Sequence, residues 1–325
     1  MFSNRHRHVA TLAYVANGSR SVDMPRKNLY RNIILEVEGS VAITDITTPP
    51  VNYTGGAHEN AFRAIKRLEL IANGRDTIKS IPMQALAMKN LFMRGVRCQH
   101  VAPGLTVATH PFGGVVTVPL ASPRAVRQID TLLNSGQLST LELRATFGDF
   151  LDMVSTAPTA YTAATFDASI KVGLDETIRL DQRPEAYMTY KELYVEKQIS
   201  GATSAFQILL GVGNKYRGFM LECESDGEMV DTILNKITLK SGTDIYYQQE
   251  AHAVRGKNIQ DFLGNVETLT GYYYVDFCPE GRLVDALDAS FLSQLEFELD
   301  VNAPGTLDYV RIYPDEIVIP AGQAA

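Results

Sequence analysis

The chain has 325 residues, enough for one large domain or two of about 150 residues each. Hydrophobic residues make up 45% and charged residues 21%, which supplies a packed core and excludes a disordered chain. The net charge of −7 argues against a nucleic-acid coat. Three scattered cysteines (Cys98, Cys223, Cys278) argue against a disulfide framework or a cysteine zinc site.

Charge is uneven along the chain. Residues 1–31 hold six Arg or Lys against one acid, Asp23, whereas the remainder carries 24 basic and 36 acidic residues. The reading is a basic arm, residues 1–25, ahead of an acidic body. Arg5, Arg7, Arg20, Arg26 and Lys27 are its candidate contacts to an anionic surface, either lipid or nucleic acid. The bland alternative is a frayed, solvated terminus. No stretch reads as a transmembrane helix, because the longest uncharged run, 101–123, is broken by Pro103, Pro111 and Pro119. An apolar secretory signal is not expected either.

The body alternates like half-buried strands. In 31–44, Ile33, Leu35 and Val37 alternate with Ile34, Glu36 and Glu38. Residues 64–78 hold a strand, an Asn73-Gly74 turn and the start of a second strand. Further strands are expected at 113–120, 138–148, 167–174, 206–213, 216–224, 234–242, 272–277, 293–301 and 307–319. Helices are few: 83–95 ending at Gly95, a segment at 123–134 capped by Ser122-Pro123, and 250–264. Short strands punctuated by Gly, Pro, Asn and Asp point to sandwiches or barrels carrying loop helices.

The two halves repeat. Asn73-Gly74-Arg75-Asp76 followed by Lys89-Asn90-Leu91 has a counterpart in Ser241-Gly242-Thr243-Asp244 followed by Lys257-Asn258-Ile259, both at an offset of 168. Leu138-Ser139-Thr140-Leu141-Glu142 matches Leu292-Ser293-Gln294-Leu295-Glu296 at an offset of 154. The repeat is too long for a solenoid unit and has the size of a whole sandwich.

With these blocks and the stretch 281–299, the chain resembles the double jelly-roll major capsid proteins of tailless icosahedral viruses, including membrane-containing bacteriophages. The resemblance covers about 26–319. It implies an all-β chain of two tandem antiparallel eight-stranded jelly rolls with a few short loop helices. Its expected divisions are the arm at 1–25, a first jelly roll at 26–179, a second at 180–319 and a tail at 320–325. It further implies a structural, non-enzymatic coat protein forming pseudo-hexagonal homotrimeric capsomers of a virion shell, assembled in the host cytoplasm. The implied partners are other copies of the chain, minor capsid or vertex proteins, and an internal membrane reached by the arm; sequence-specific nucleic acid is not among them.

Chemistry-bearing patterns are weak. Gly211-Val212-Gly213 is a bare GxG, and no phosphate loop or nucleophile elbow exists. Asp149 with Asp152, and Glu222 with Glu224, are carboxylate pairs of the kind that flank strands in acidic proteins. The histidines, including His6-Arg7-His8 and His58-Glu59, do not cluster as a metal site would require. Tyr272-Tyr273-Tyr274 could stack bases but reads as sandwich packing. No catalytic, cofactor-binding or metal-binding residue is therefore assigned, and no cofactor is expected. The alternative is a carbohydrate- or receptor-binding sandwich protein, such as a viral spike, or a bicupin-like enzyme.

Overall fold

The computed structural model describes residues 2–45, 57–95, 97–104, 106–154, 162–179, 188–262 and 270–318, without the side chains of 2–3, 45, 57–60, 162–165 and 179. His58-Glu59 as side chains, the segment 180–187 and the tail 320–325 lie outside the described residues.

Alternation becomes strand wherever one face can be buried. Ile33, Leu35 and Val37 are buried, while Glu38 is exposed. The first half contains β1 (Phe2–Ala13), β2 (Ser19–Asp23), β3 (Leu29–Asp45), β4 (Ile65–Ala72), β5 (Asp76–Ile81), α1 (Met83–Arg94), β6 (Ala108–Pro119), β7 (Leu141–Phe147) and β8 (Thr162–Arg179). Antiparallel pairing orders them β1-β8-β3-β6 in one sheet and β2-β7-β4-β5 in the other.

The second half repeats this plan with β9 (Val195–Ile199), β10 (Thr203–Leu210), β11 (Lys215–Ser225), β12 (Leu234–Ser241), β13 (Asp244–Glu250), α2 (Ala251–Phe262), β14 (Tyr272–Asp276), β15 (Leu295–Val301) and β16 (Asp308–Val318). Its sheets run β9-β16-β11-β14 and β10-β15-β12-β13. Counted within each half, the order is 1-8-3-6 packed on 2-7-4-5. The hairpin turns agree in detail: Gly74 has φ +73° and Gly242 φ +58°, a left-handed conformation that glycine adopts without strain. Both hairpins carry a bulge, between Leu70 and Ile71 and between Leu239 and Lys240.

A linker strand, Thr189–Leu193, joins the halves. It pairs antiparallel with β16 and parallel with β5, so one sheet runs from the first half into the second. The first core therefore includes Met220, Tyr272, Tyr274 and Tyr313 from the second half. Tyr273, pointing the other way, belongs to the second core with Phe219, Leu221 and Phe297.

Two expectations change. Residues 2–23 are not an arm preceding the first strand: Phe2–Ala13 pairs with β8 and Ser19–Asp23 with β7. Their basic side chains hid the strands, because both lie at sheet edges where one flank faces water. The helix expected over 123–134 is only a short 3-10 turn, Gln128–Thr131. Val126 is 71% exposed while Leu132 and Leu133 are buried, so the apolar residues share no buried helical face. Helices do form at 83–94, ending at left-handed Gly95, and at 251–262.

Candidate functional site

Two regions gather polar chemistry: one end of the first sandwich and the junction between the halves. At the end, β1 and β3 begin and β8 finishes, with Phe2 opposite Arg179 and Leu29 opposite Thr177. Arg5 and Arg7 both donate through Nε to Glu176 Oε1 at 2.7 Å, and Asn28 Nδ2 donates to Glu176 Oε2 at 2.6 Å. Burial alone would raise the Glu176 carboxyl, but these donors and the two arginine charges hold it below its ordinary value.

Arg26 Nη1 donates to the carbonyls of Leu138, at 3.0 Å, and Ser139. Ser139 N–H in turn donates to Asn73 Oδ1 in the hairpin turn, at 2.8 Å. Lys27 is exposed beside Arg26, and Arg75 is exposed at the same turn. Four of the five sequence-derived basic residues, Arg5, Arg7, Arg26 and Lys27, thus converge on this end. Arg20 does not: it lies along β2 opposite Ala145. Arg31 joins the group, lining an open groove with Asn4, Arg5, His6, Asp175 and Glu176. His6 Nδ1 lies 2.8 Å from Asp175 Oδ1.

The junction is buried and charged. Lys79 on β5, Lys89 on α1, Glu192 on the linker strand and Asp315 on β16 are all at most 1% exposed. Lys79 Nζ lies 2.5 Å from Glu192 Oε2, and Lys89 bridges Glu192 Oε1 and Asp315 Oδ1. The Tyr190 hydroxyl lies 2.9 Å from Glu192 Oε1 and 2.5 Å from Asp315 Oδ1, and the Tyr274 hydroxyl donates to Asp315 Oδ2. Lys79 Nζ also stands 3.6 Å over the Tyr190 ring.

Burial pushes the Lys79 ammonium down to about 8 despite the pull of Glu192. Burial opposes ionisation of Glu192 as well, but Lys79 and Lys89 bring its carboxyl to about 2. Arg217 on β11 is fully buried nearby, its Nη1 3.3 Å from Met93 Sδ. Burial disfavours that charge too, and Tyr274, Asp315 and Asp276 outweigh the cost. Two lysines against two carboxylates, each partnered, make this a clamp between halves rather than a reactive centre.

The other candidate groups fall into structural roles. Asp149 and Asp152 cap a 3-10 turn at Phe150–Met153. Glu222 and Glu224 both accept from Arg311 Nη1, at 2.7 and 2.6 Å. Among the described residues, no group of three or more His, Cys, Asp or Glu could hold a metal ion.

No protein-family model matches the chain, and no curated protein matches it in sequence. Solved structures do. The STIV MCP superposes with a TM-score of 0.75 and 15% identity, over 98% of this chain and 97% of that one. The major capsid protein P2 from Bacteriophage PM2 gives 0.63 and 13%, over 99% of each chain. The PBCV-1 virus capsid gives 0.65 and 12%, over 98% and 95%. These are double jelly-roll proteins, and the likeness spans both halves and the junction. The chain has the double jelly-roll fold.

Both jelly rolls also share a buried asparagine, which the repeated Lys-Asn pair in the sequence foreshadows. Asn90 Nδ2 donates to Thr117 O at 2.7 Å, and Asn258 Nδ2 donates to Tyr274 O at 2.8 Å. Each ties its helix to the sixth strand of its own jelly roll. The junction charges, by contrast, gave no sequence signal beyond Lys89. Glu192 and Asp315 belong to no repeated or clustered motif and lie over 100 residues from the lysines they meet.

Proposed function

We propose that the chain is a major capsid protein, a structural and non-enzymatic coat subunit of an icosahedral virion. The observation that carries the reading is the likeness of the whole chain, both jelly rolls and their junction, to viral capsid proteins. The capsomer is a homotrimer. Within one chain, β5 and α1 of the first jelly roll are covered by the second, and the same head-to-tail relation repeated between chains gives a closed ring of six similar units from three copies. Neighbouring capsomers and minor capsid or vertex proteins are its further partners, the virion its location, and the host cytoplasm its place of assembly.

The end carrying Arg26, Lys27 and Arg75 faces an internal membrane in this reading. The matching end of the second jelly roll exposes apolar side chains, Phe291 at 87% and Val212 at 41%. Cations suit anionic headgroups, and an exposed aromatic suits the interface below them. Each basic residue contributes on the order of 1 kcal/mol, so firm attachment comes from many subunits together. Co-sedimentation with vesicles of anionic and of zwitterionic lipid tests this. R26E/K27E weakens binding to anionic vesicles at low salt if the end meets lipid. Unchanged binding, or this end found on the particle's outer surface, removes the membrane role. Electron microscopy of the purified chain tests the capsid reading itself, with three-fold pseudo-hexagonal particles as the expected outcome.

A further inference from the structure

The duplicated plan fills one docking surface and leaves its twin open. Every residue of α1 from Met83 to Met93 is buried, because the second jelly roll packs over it. Phe92 stacks on Tyr274, with ring centroids 5.6 Å apart, Met93 meets Arg217, and Lys89 enters between Glu192 and Asp315. In α2 only Ala251, Val254, Asn258 and Phe262 are buried. His252, Lys257, Gln260 and Asp261 are exposed. Lys257 is the twin of Lys89 at the offset of 168 that also relates Asn258 to Asn90. The strand beside each helix follows suit: β5 is buried over Ile78–Ile81, whereas β13 is a sheet edge exposed over most of its length.

The receiving site has a twin as well. Ile33, Leu35 and Val37 on β3 correspond to Phe219, Leu221 and Cys223 on β11, an offset of 186 fixed by the paired asparagines, since Thr117 lies opposite Ile34 and Tyr274 opposite Met220. Arg31 then corresponds to Arg217. On the eighth strands, Asp175 opposite Asn32 corresponds to Asp315 opposite Gly218. His6 on β1, opposite Asp175, corresponds to Glu192 on the linker strand, one rung beyond Lys191 opposite Glu316. The open groove of Asn4, Arg5, His6, Arg31, Asp175 and Glu176 is therefore the twin of the site that Lys89 fills. Its side chains remain accessible, His6 at 58% and Asp175 at 31%.

We infer that Lys257 of one copy enters the groove at His6 and Asp175 of a second copy, as Lys89 enters between Glu192 and Asp315 within the chain. The occupant is a second copy because the intramolecular version of the contact supplies both partners, helix lysine and strand aspartate, in matching positions. Of the two groove carboxylates, Glu176 is held by Arg5, Arg7 and Asn28, while Asp175 meets His6 and Asn32 and keeps its side chain 31% exposed, so Asp175 is the one that can receive the ammonium group. Arg31 does not bar the cation, because its twin Arg217 is accommodated beside the filled site. The inference rests on the reading of the chain as a ring-forming capsomer and names the residues that close the ring.

The test mixes two variants that each add one cysteine, D175C and K257C, and treats the assembled protein with a short bis-maleimide cross-linker, the unsubstituted protein serving as control for Cys98, Cys223 and Cys278. The expected product is a two-chain species whose linked peptides contain positions 175 and 257, formed in the mixture and in neither variant alone. K257E and D175K should each raise the dissociation constant about ten-fold or more, and the combination K257E/D175K should recover most of the loss. If light scattering finds oligomers that yield no 175–257 link, and K257E assembles normally, this contact is wrong while the capsomer reading stands. A strict monomer overturns both.

Discussion

At Glu192 two lysine ammonium groups and a tyrosine hydroxyl converge on one buried carboxylate. Such a group is worth little as a pair but much when broken, since removal of one partner leaves uncompensated charge in a buried site. E192Q should therefore cost about 3–5 kcal/mol in chemical denaturation, whereas K79M/E192M, which removes a cation with the anion, should cost clearly less. The pH dependence has a defined sign. The Glu192 carboxyl sits at about 2 in the folded chain against 4.5 ordinarily, so below pH 4.5 the unfolded chain binds the proton first. Stability from this group is complete above pH 4.5 and is lost as pH falls towards 2. A denaturation series across that window checks it, and E192Q should flatten the acid limb. None of this was legible beforehand. A repeated Lys-Asn pair marks its positions by repetition, but Glu192 and Asp315 acquire meaning only when topology carries them to a lysine distant in sequence.

Elements were legible to the extent that one face of each is buried. The strands with alternating apolar residues, the two Gly-ended hairpins and both helices following them were readable from periodicity. β1 and β2 were not, because edge strands rich in Arg, His and Ser resemble a solvated arm. The difference has a consequence for truncation: deleting residues 2–13 removes a strand paired along β8 and takes Arg5 and Arg7 away from Glu176. Such a chain should lose cooperative thermal unfolding of the first jelly roll, while a disposable arm would leave the transition unchanged. The hairpin turns offer a matched pair. Gly74 and Gly242 both adopt positive φ, with open space where a methyl group would stand. G74A and G242A should each destabilise by about 1 kcal/mol, the backbone cost of a left-handed alanine; a large cost at one and none at the other would contradict equivalent turns.

For the whole molecule, the duplication was the legible feature: two collinear anchors at one offset placed the same hairpin and helix in both halves. Their fusion was hidden. The linker strand completes a sheet across the junction, and Tyr272, Tyr274 and Tyr313 turn outward from one jelly roll into the core of the other. That face-to-edge union explains why α1 is buried and α2 is not, and it leaves each chain with one filled and one open instance of the same surface. In the proposed capsomer a second copy fills the open instance. The most direct measurement is the mass of the purified protein in solution by light scattering at micromolar concentration and near-physiological salt. The expected value is about 107 kDa, three chains of 35.8 kDa closing one ring; a single species at the mass of one chain would contradict the account.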